Sequence, residues 1–304
     1  MRMSGVGGGI PPLPLHAIAF AMNYRHAFHA GNFADVHKHA VLALVITHLR
    51  EKTAPFRVID THAGAGCYDL AGPQASRTGE WRDGIGKLHG HTLDSRLGGL
   101  LAPYLDVVKN FNPGQELAIY PGSPALARAL LRPHDRLIAC EAEPDAARAL
   151  ATTLASDRRA KTLAIDAWTA LSAFIPPQER RGLVLIDPPF EQPDEFARLA
   201  GEIAKAYRKW PTGIYMLWYP IKNRGAADDF AAQLARSSIK KILRSELLIA
   251  PPRDAQRLTG SGLILINPPW RLTDQLKQLL PPLAAILARN GPGGTRLDWL
   301  AGER

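Results

Sequence analysis

The sequence predicts a doubly wound α/β fold: a mostly parallel sheet, an antiparallel strand pair near the C-terminus and an inserted helical subdomain. Three observations carry this expectation. From residue 56 onward, short apolar runs suited to buried strands alternate with segments of helical periodicity. The first run ends in Gly64-Ala65-Gly66, a turn whose missing side chains let a ligand approach the backbone. The chain has 304 residues, more than one such domain usually needs, so an insertion is expected.

Residues 1–21 contain Gly7-Gly8-Gly9 and Pro11, Pro12 and Pro14, a composition that neither packs nor sustains a regular element. They are expected to be a disordered extension, with Met22 a candidate translation start. A helix follows from Asn32, which can cap it, because Phe33, Val36, Ala40, Val41, Leu44, Val45 and Leu49 repeat at helical spacing. Phe56–Asp60 reads as the first strand. Further strands are expected at Leu137–Cys140, Thr162–Ile165, Leu183–Ile186, Ile214–Trp218, Lys241–Ile249 and Leu263–Ile266, with helices at Pro124–Leu131, Pro144–Leu154 and Asp194–Lys209. The last two strands leave no room for a helix between them, hence the antiparallel pair. Thr78–Leu88 and Leu97–Phe111 are the helical patterns of the insert. The expected division is a main domain of residues 22–66 and 121–304 around a region, 67–120, containing the helical subdomain.

Composition narrows the function. Hydrophobic residues at 46% and charged residues at 21% exclude a mostly disordered chain. No apolar run approaches the roughly 18 residues of a membrane span. Two cysteines, Cys67 and Cys140, are too few for a disulfide framework or a four-cysteine zinc site and suit a reducing cytoplasm. A net charge of +9 favours a polyanionic partner, although a basic surface kept for solubility gives the same number.

The glycine turn lacks the third glycine of a dinucleotide site, since Asp69 stands in its place; this suits a cofactor without a pyrophosphate, such as S-adenosylmethionine. The acid that binds ribose hydroxyls at the end of the second strand is expected about 20 residues on. Glu141 is the candidate, 75 residues beyond Gly66, and the insertion explains the surplus. Arg77, Arg82, Lys87, Arg96 and Lys109 of that insert suit phosphate contact or, equally, a solvated decoration. Asp166 can accept from an adenine amino group or cap the helix over residues 167–174; both readings stay open.

Two strands end in Pro-Pro-aromatic: Asp187-Pro188-Pro189-Phe190 and Asn267-Pro268-Pro269-Trp270. In the first, Asp187 and the Pro188 carbonyl can accept hydrogen bonds from the adenine amino group, favouring a pyramidal nitrogen with its lone pair aimed at a methyl sulfonium. The prolines stiffen the loop, and Phe190 can stack on a flipped base. An antiparallel last strand would carry Asn267 to the opposite sheet edge, so chemistry is assigned to Asp187 and a structural end to Asn267. The stretch Tyr24–Asn32 and His37-Lys38-His39 hold four histidines at no zinc spacing; no metal is expected, and cofactor or nucleic-acid contact suits the mixture better.

Taken together, the chain resembles the bacterial 23S ribosomal RNA adenine-N6 methyltransferases of the J type. The matching strings are Tyr24-Arg-His-Ala-Phe-His-Ala-Gly-Asn32, Asp35-Val-His-Lys-His39, Asp60-Thr-His-Ala-Gly-Ala-Gly66, Arg77-Thr-Gly-Glu80, Tyr120-Pro-Gly-Ser-Pro124, Arg181 to Phe190, Leu217-Trp-Tyr-Pro220 and Gly260-Ser-Gly262 through Trp270. The resemblance implies a Rossmann-like class I S-adenosylmethionine-dependent methyltransferase acting on one adenine of 23S rRNA, free or in an early assembly intermediate, as a cytoplasmic monomer. It places cofactor contacts at His39, His62, Ser123, Glu141, Asp166 and Ala167 besides Gly64 and Gly66. Asp187 becomes the catalytic acceptor at the cofactor's edge, and Tyr24 a substrate contact. Phe190 departs from the family's usual tyrosine, keeping the stacking face without the hydroxyl. Ser123 by itself reads only as the cap of the next helix. Two other readings of the tetrad are a DNA adenine or protein glutamine methyltransferase and a catalytically silent RNA-binding assembly factor.

Overall fold

In the computed structural model, residues 26–114, 116–252, 257–289 and 291–302 are described; the 1–21 extension and Tyr24 lie outside them. The first long element is α1 (Phe33–Arg50), whose Asn32 side chain accepts from the Ala34 and Asp35 N–H groups as an N-cap. Only three of its side chains reach solvent to any extent, because α1 runs through the centre of one helical layer. Val41, Leu42, Val45 and Ile46 are fully buried, and each contributes about 1.5–3 kcal/mol. That burial offsets the cost of holding Asp35 and Lys38 inside the same helix.

The main sheet has eight strands: β1 (Arg57–Asp60), β4 (Arg136–Cys140), β5 (Ala160–Leu163), β6 (Gly182–Ile186), β7 (Ile214–Ile221), β8 (Ile242–Leu248), β9 (Gly260–Ile266) and β10 (Gly294–Ala301). Their order is β10-β8-β9-β7-β6-β1-β4-β5. Strands β5, β4, β1, β6 and β7 run parallel, whereas β9 is antiparallel to both its neighbours. Successive strand residues face opposite helical layers: Val58 joins the core beneath α1, Ile59 the core on the other face. Helices α5 (Ser123–Leu130) and α10 (Leu272–Leu287) flank α1; α7 (Ala167–Phe174), α8 (Glu195–Lys209) and α9 (Arg224–Ala235) cover the opposite face, and α6 (Pro144–Leu154) packs beside β5.

Four expectations need correction. The C-terminal antiparallel pair is larger than expected, since β10 adds an antiparallel edge against β8. Its alternate residues are polar, Arg296 and Asp298 among them, and this concealed an apolar pattern. The third strand ends at Leu163, three residues before Asp166. The expected helix over 78–88 is broken into α2 (Pro73–Thr78), a 3-10 turn and α3 (Ile85–His89), because Gly79 takes φ +63° and Gly84 abuts the Gly31 backbone. The helix expected from Pro124 starts one residue earlier, with Gly122 at its N-cap position, so Ser123 does not cap it. Between β1 and β4 the chain also contributes α4 (Ser95–Phe111) and the small antiparallel pair β2 (Cys67–Asp69) and β3 (Ile119–Pro121).

Candidate active site

The carboxyl ends of β1, β4 and β6 open onto a cavity of about 590 Å³. Its walls bring together eight of the residues singled out in the sequence: His39, His62, Gly64, Ser123, Glu141, Asp166, Ala167 and Asp187. They come from six separate segments, which converge because the parallel strands end on one side of the sheet and α1 and α5 pack beside those ends. Three others are not on the wall. Gly66, at φ +85°, packs on α6, where an added Cβ would meet Thr153 at 3.0 Å, and its carbonyl accepts from the Gly122 N–H. Pro188 belongs to the same loop as Asp187 but contributes no wall; Pro189 does. Phe190, at φ +50°, tilts against Phe196 at 4.8 Å and meets Trp218 edge-on at 5.8 Å.

Gly64 shows why the turn needs glycine. It sits at φ +60°, an added Cβ would collide with the Tyr68 hydroxyl, and its N–H donates to Glu141 Oε2 at 2.8 Å. The other Glu141 oxygen accepts from the Glu143 N–H at 2.8 Å. The carboxylate is therefore fixed in orientation at the cavity wall. Asp166 Oδ1 caps α7 through the Trp168 and Thr169 N–H groups, and the side chain borders the cavity.

Lys38 was missed as a site residue. Its ammonium, nearly enclosed, lies on Asp187 Oδ2 and also meets Asp35 Oδ1 at 2.8 Å. Burial works against the charge, but Asp187 and Asp35 outweigh it and push the Lys38 pKa upward. Asp35 in turn accepts from the Gly31 N–H at 2.9 Å and from His26 Nε2 at 3.0 Å. Burial would raise its pKa, yet His26, Lys38 and His39 hold it well below the usual range. The available signal was a charged pair at i, i+3, Asp35 and Lys38, within the apolar repeat of α1, an arrangement rarely left buried unless paired. Asp60 was missed too: it ends β1, is 1% exposed and accepts from the Ser123 hydroxyl at 2.6 Å.

The histidines divide. His62 lines the cavity, and its Nδ1 accepts from the Asp187 N–H at 3.3 Å. His39 stacks on Tyr120, whose hydroxyl lies 2.7 Å from its Nδ1. His37 instead faces the sheet, bonded to Ser261 at 3.0 Å and Ser245 at 3.1 Å, and has no place in the cavity. Burial lowers His37 and His39 to about 3 and His62 to about 4. All three must gain protons on acid unfolding, so stability should fall as pH drops from about 6.5 toward 3–4. Asp60, raised by burial to about 7, acts oppositely: its share of stability fades as pH rises from 3.8 to about 7. Replacing His37 with glutamine should flatten the acid side of an unfolding-midpoint profile measured by circular dichroism; an unchanged slope would contradict the buried neutral histidine.

The second tetrad sits at the other edge. Ile266 pairs with Tyr215 at the start of β7, so Asn267 emerges opposite the cavity. At φ +53° it donates from Nδ2 to the Pro211 and Gly213 carbonyls, both at 2.8 Å, closing the turn into β7. Asn267→Ala should therefore cost about 1–3 kcal/mol of stability and leave turnover intact. A melting scan beside an activity assay checks it, and lost turnover with a normal melt would reverse the assignment.

The family model described as Ribosomal RNA large subunit methyltransferase D, RlmJ matches residues 53–301. The chain belongs to this family. It is 42% identical over 282 residues to the Ribosomal RNA large subunit methyltransferase J of Escherichia coli strain K12, covering 93% of this chain and all of that protein. The protein of the same name from Haemophilus influenzae is 38% identical over 283 residues, with the same coverage. Among solved structures, protein LPL1258 of Legionella pneumophila superposes with a TM-score of 0.81 at 34% identity, covering 89% of this chain and 98% of that one. The fold is that of a Rossmann-like class I methyltransferase, which uses S-adenosylmethionine as its methyl donor. No helix among the described residues is long and apolar enough to cross a membrane.

Proposed function

We propose that this protein transfers a methyl group from S-adenosylmethionine to N6 of one adenine in 23S ribosomal RNA. The observation that carries this reading is Asp187 at the carboxyl end of β6, facing the cavity that Gly64, Glu141 and Asp166 border. The residues fit the cofactor: Glu141, held by the Gly64 and Glu143 N–H groups, would accept from ribose hydroxyls, and Asp166 on the same wall would accept from an adenine amino group. When bound, S-adenosylmethionine supplies an electrophilic methyl group on a sulfonium.

The chain's own residues prepare the nucleophile. Lys38 occupies Asp187 Oδ2, leaving Oδ1 to accept from the substrate amino group together with the Pro188 carbonyl. His62 steadies the Asp187 backbone. Phe190, braced by Phe196 and Trp218, supplies a stacking face for a flipped base. Tyr24 is assigned to substrate contact through the resemblance alone. The target nitrogen must reach a recessed carboxylate, which favours an unprotected adenine on free or partly assembled RNA. One chain furnishes the whole site, in keeping with a monomer, and an rRNA substrate together with two free thiols suits the cytoplasm. The main domain is assigned to 22–66 and 121–304, with 67–120 as the insert.

Incubation with isotopically labelled S-adenosylmethionine and protein-free 23S rRNA, followed by nucleoside mass spectrometry, tests this. Labelled N6-methyladenosine is the expected product. Bound cofactor with no label in adenosine would overturn the substrate.

A further inference from the structure

At the edge of the sheet away from the active site, the starts of β1, β4 and β5 frame a second cavity of about 420 Å³. Arg57, Arg136, Arg158, Arg159 and Lys161 line it, and no carboxylate does. Arg57 and Arg136 are register partners, and Leu137 pairs with Ala160, so Arg57, Arg136 and Arg159 stand on adjacent rungs about 4.8 Å apart. Like charges on neighbouring strands oppose folding, and internal partners offset that for part of the row: the Arg136 guanidinium donates to the Pro133 and Asp135 carbonyls at 3.1 and 2.8 Å. Two of the five charges are balanced: Arg57 by Glu179 at 2.9 Å and Arg159 by Asp157 at 2.6 Å. Among the described residues no carboxylate lies within ion-pair distance of Arg136, Arg158 or Lys161. Arg158 and Lys161 are exposed at its mouth.

We infer that this groove is a second contact for the substrate RNA, holding its phosphate backbone while the target adenine occupies the active site. The inference rests on the RNA reading of that site. From Arg136 at the start of β4 to Glu141 just past its end is about 16 Å, less than one turn of a nucleic-acid duplex, so one helical arm of RNA can reach both ends of the sheet. Among the described residues β5 is the last strand of the sheet, and its outer edge carries no further strand. Charge complementarity selects a polyanion, and contacts of this kind position a nucleic acid without reading its sequence.

The test is binding of the full chain to a 23S rRNA transcript by fluorescence anisotropy across a salt titration, comparing wild type with Arg158→Ala/Lys161→Ala. Both residues lie at the surface, and an unchanged melt with unchanged S-adenosylmethionine binding verifies the fold. The variant should bind about tenfold more weakly at low salt, with its log affinity against log salt slope shallower by about 2. Turnover at saturating RNA should match wild type, so the loss appears in KM. Identical affinity and slope would overturn the inference and leave the groove to a different anion, such as an acidic protein. Asp187→Asn, measured in parallel, keeps the two readings separate: it should bind RNA with the affinity and salt slope of wild type and methylate it about 10²–10⁴-fold more slowly. If wild type methylates no RNA adenine but the groove variant still loses RNA affinity, the active-site reading fails and the groove stands.

Discussion

Asp187→Asn is expected to reduce N6 methylation by about 10²–10⁴-fold while leaving S-adenosylmethionine binding nearly unchanged. The amide keeps the shape of the carboxylate, so the loop that carries it and the cavity around it should persist. What is removed is the negative charge opposite the target amino group, at the point where the nitrogen must lose conjugation with its ring. Glu141, Asp166 and Gly64, which border the same cavity, are untouched. Single-turnover transfer of labelled methyl to rRNA, beside calorimetric titration of the cofactor, separates the effects. A variant retaining wild-type turnover would remove Asp187 from the chemistry.

Lys38→Met should give the largest combined effect on stability and activity. The ammonium neutralises two carboxylates at once, and Asp35 is 1% exposed. Removing one partner of a buried ionic cluster costs about 3–5 kcal/mol, because the remaining charge stays desolvated. Methylation should also fall, since Asp187 loses the contact that fixes one of its oxygens. Adding Asp35→Asn to Lys38→Met should recover part of the melting temperature and none of the turnover. Full recovery of turnover in the double variant would show that Lys38 acts only by keeping the helix folded.

Much of this protein is legible one segment at a time. Val58-Ile59 and Leu183-Val184-Leu185-Ile186 are recognisable as strands because a residue buried on both faces of a sheet must be apolar whichever way it points. Asn32 announces the start of α1 because a capping side chain bonds its own neighbours. Glycine at 64 is legible for the same local reason: a positive φ excludes most other residues. The β10 strand was hidden because edge strands carry polar side chains, and the breaks at Gly79 and Gly84 were hidden because helical periodicity continues across them.

Long-range pairing is a different matter. The two Pro-Pro-aromatic tetrads look alike in sequence; strand direction separates them, carrying Asp187 into the cavity and Asn267 to the turn before β7. Ser123 resembles a helix cap until β1 places Asp60 within 2.6 Å of it. Lys38 and Asp187 are 149 residues apart, and nothing near either one indicates the other. By itself the sequence determined most of the main-sheet strands, their order, the family and eight of the residues on the cavity wall, because each of these follows from local backbone geometry or from contiguous strings. Only the tertiary structure decided which charges meet, because a buried ammonium is stabilised by whichever carboxylates the fold brings within a few ångströms, and that proximity is a property of the sheet and of α1 packed upon it.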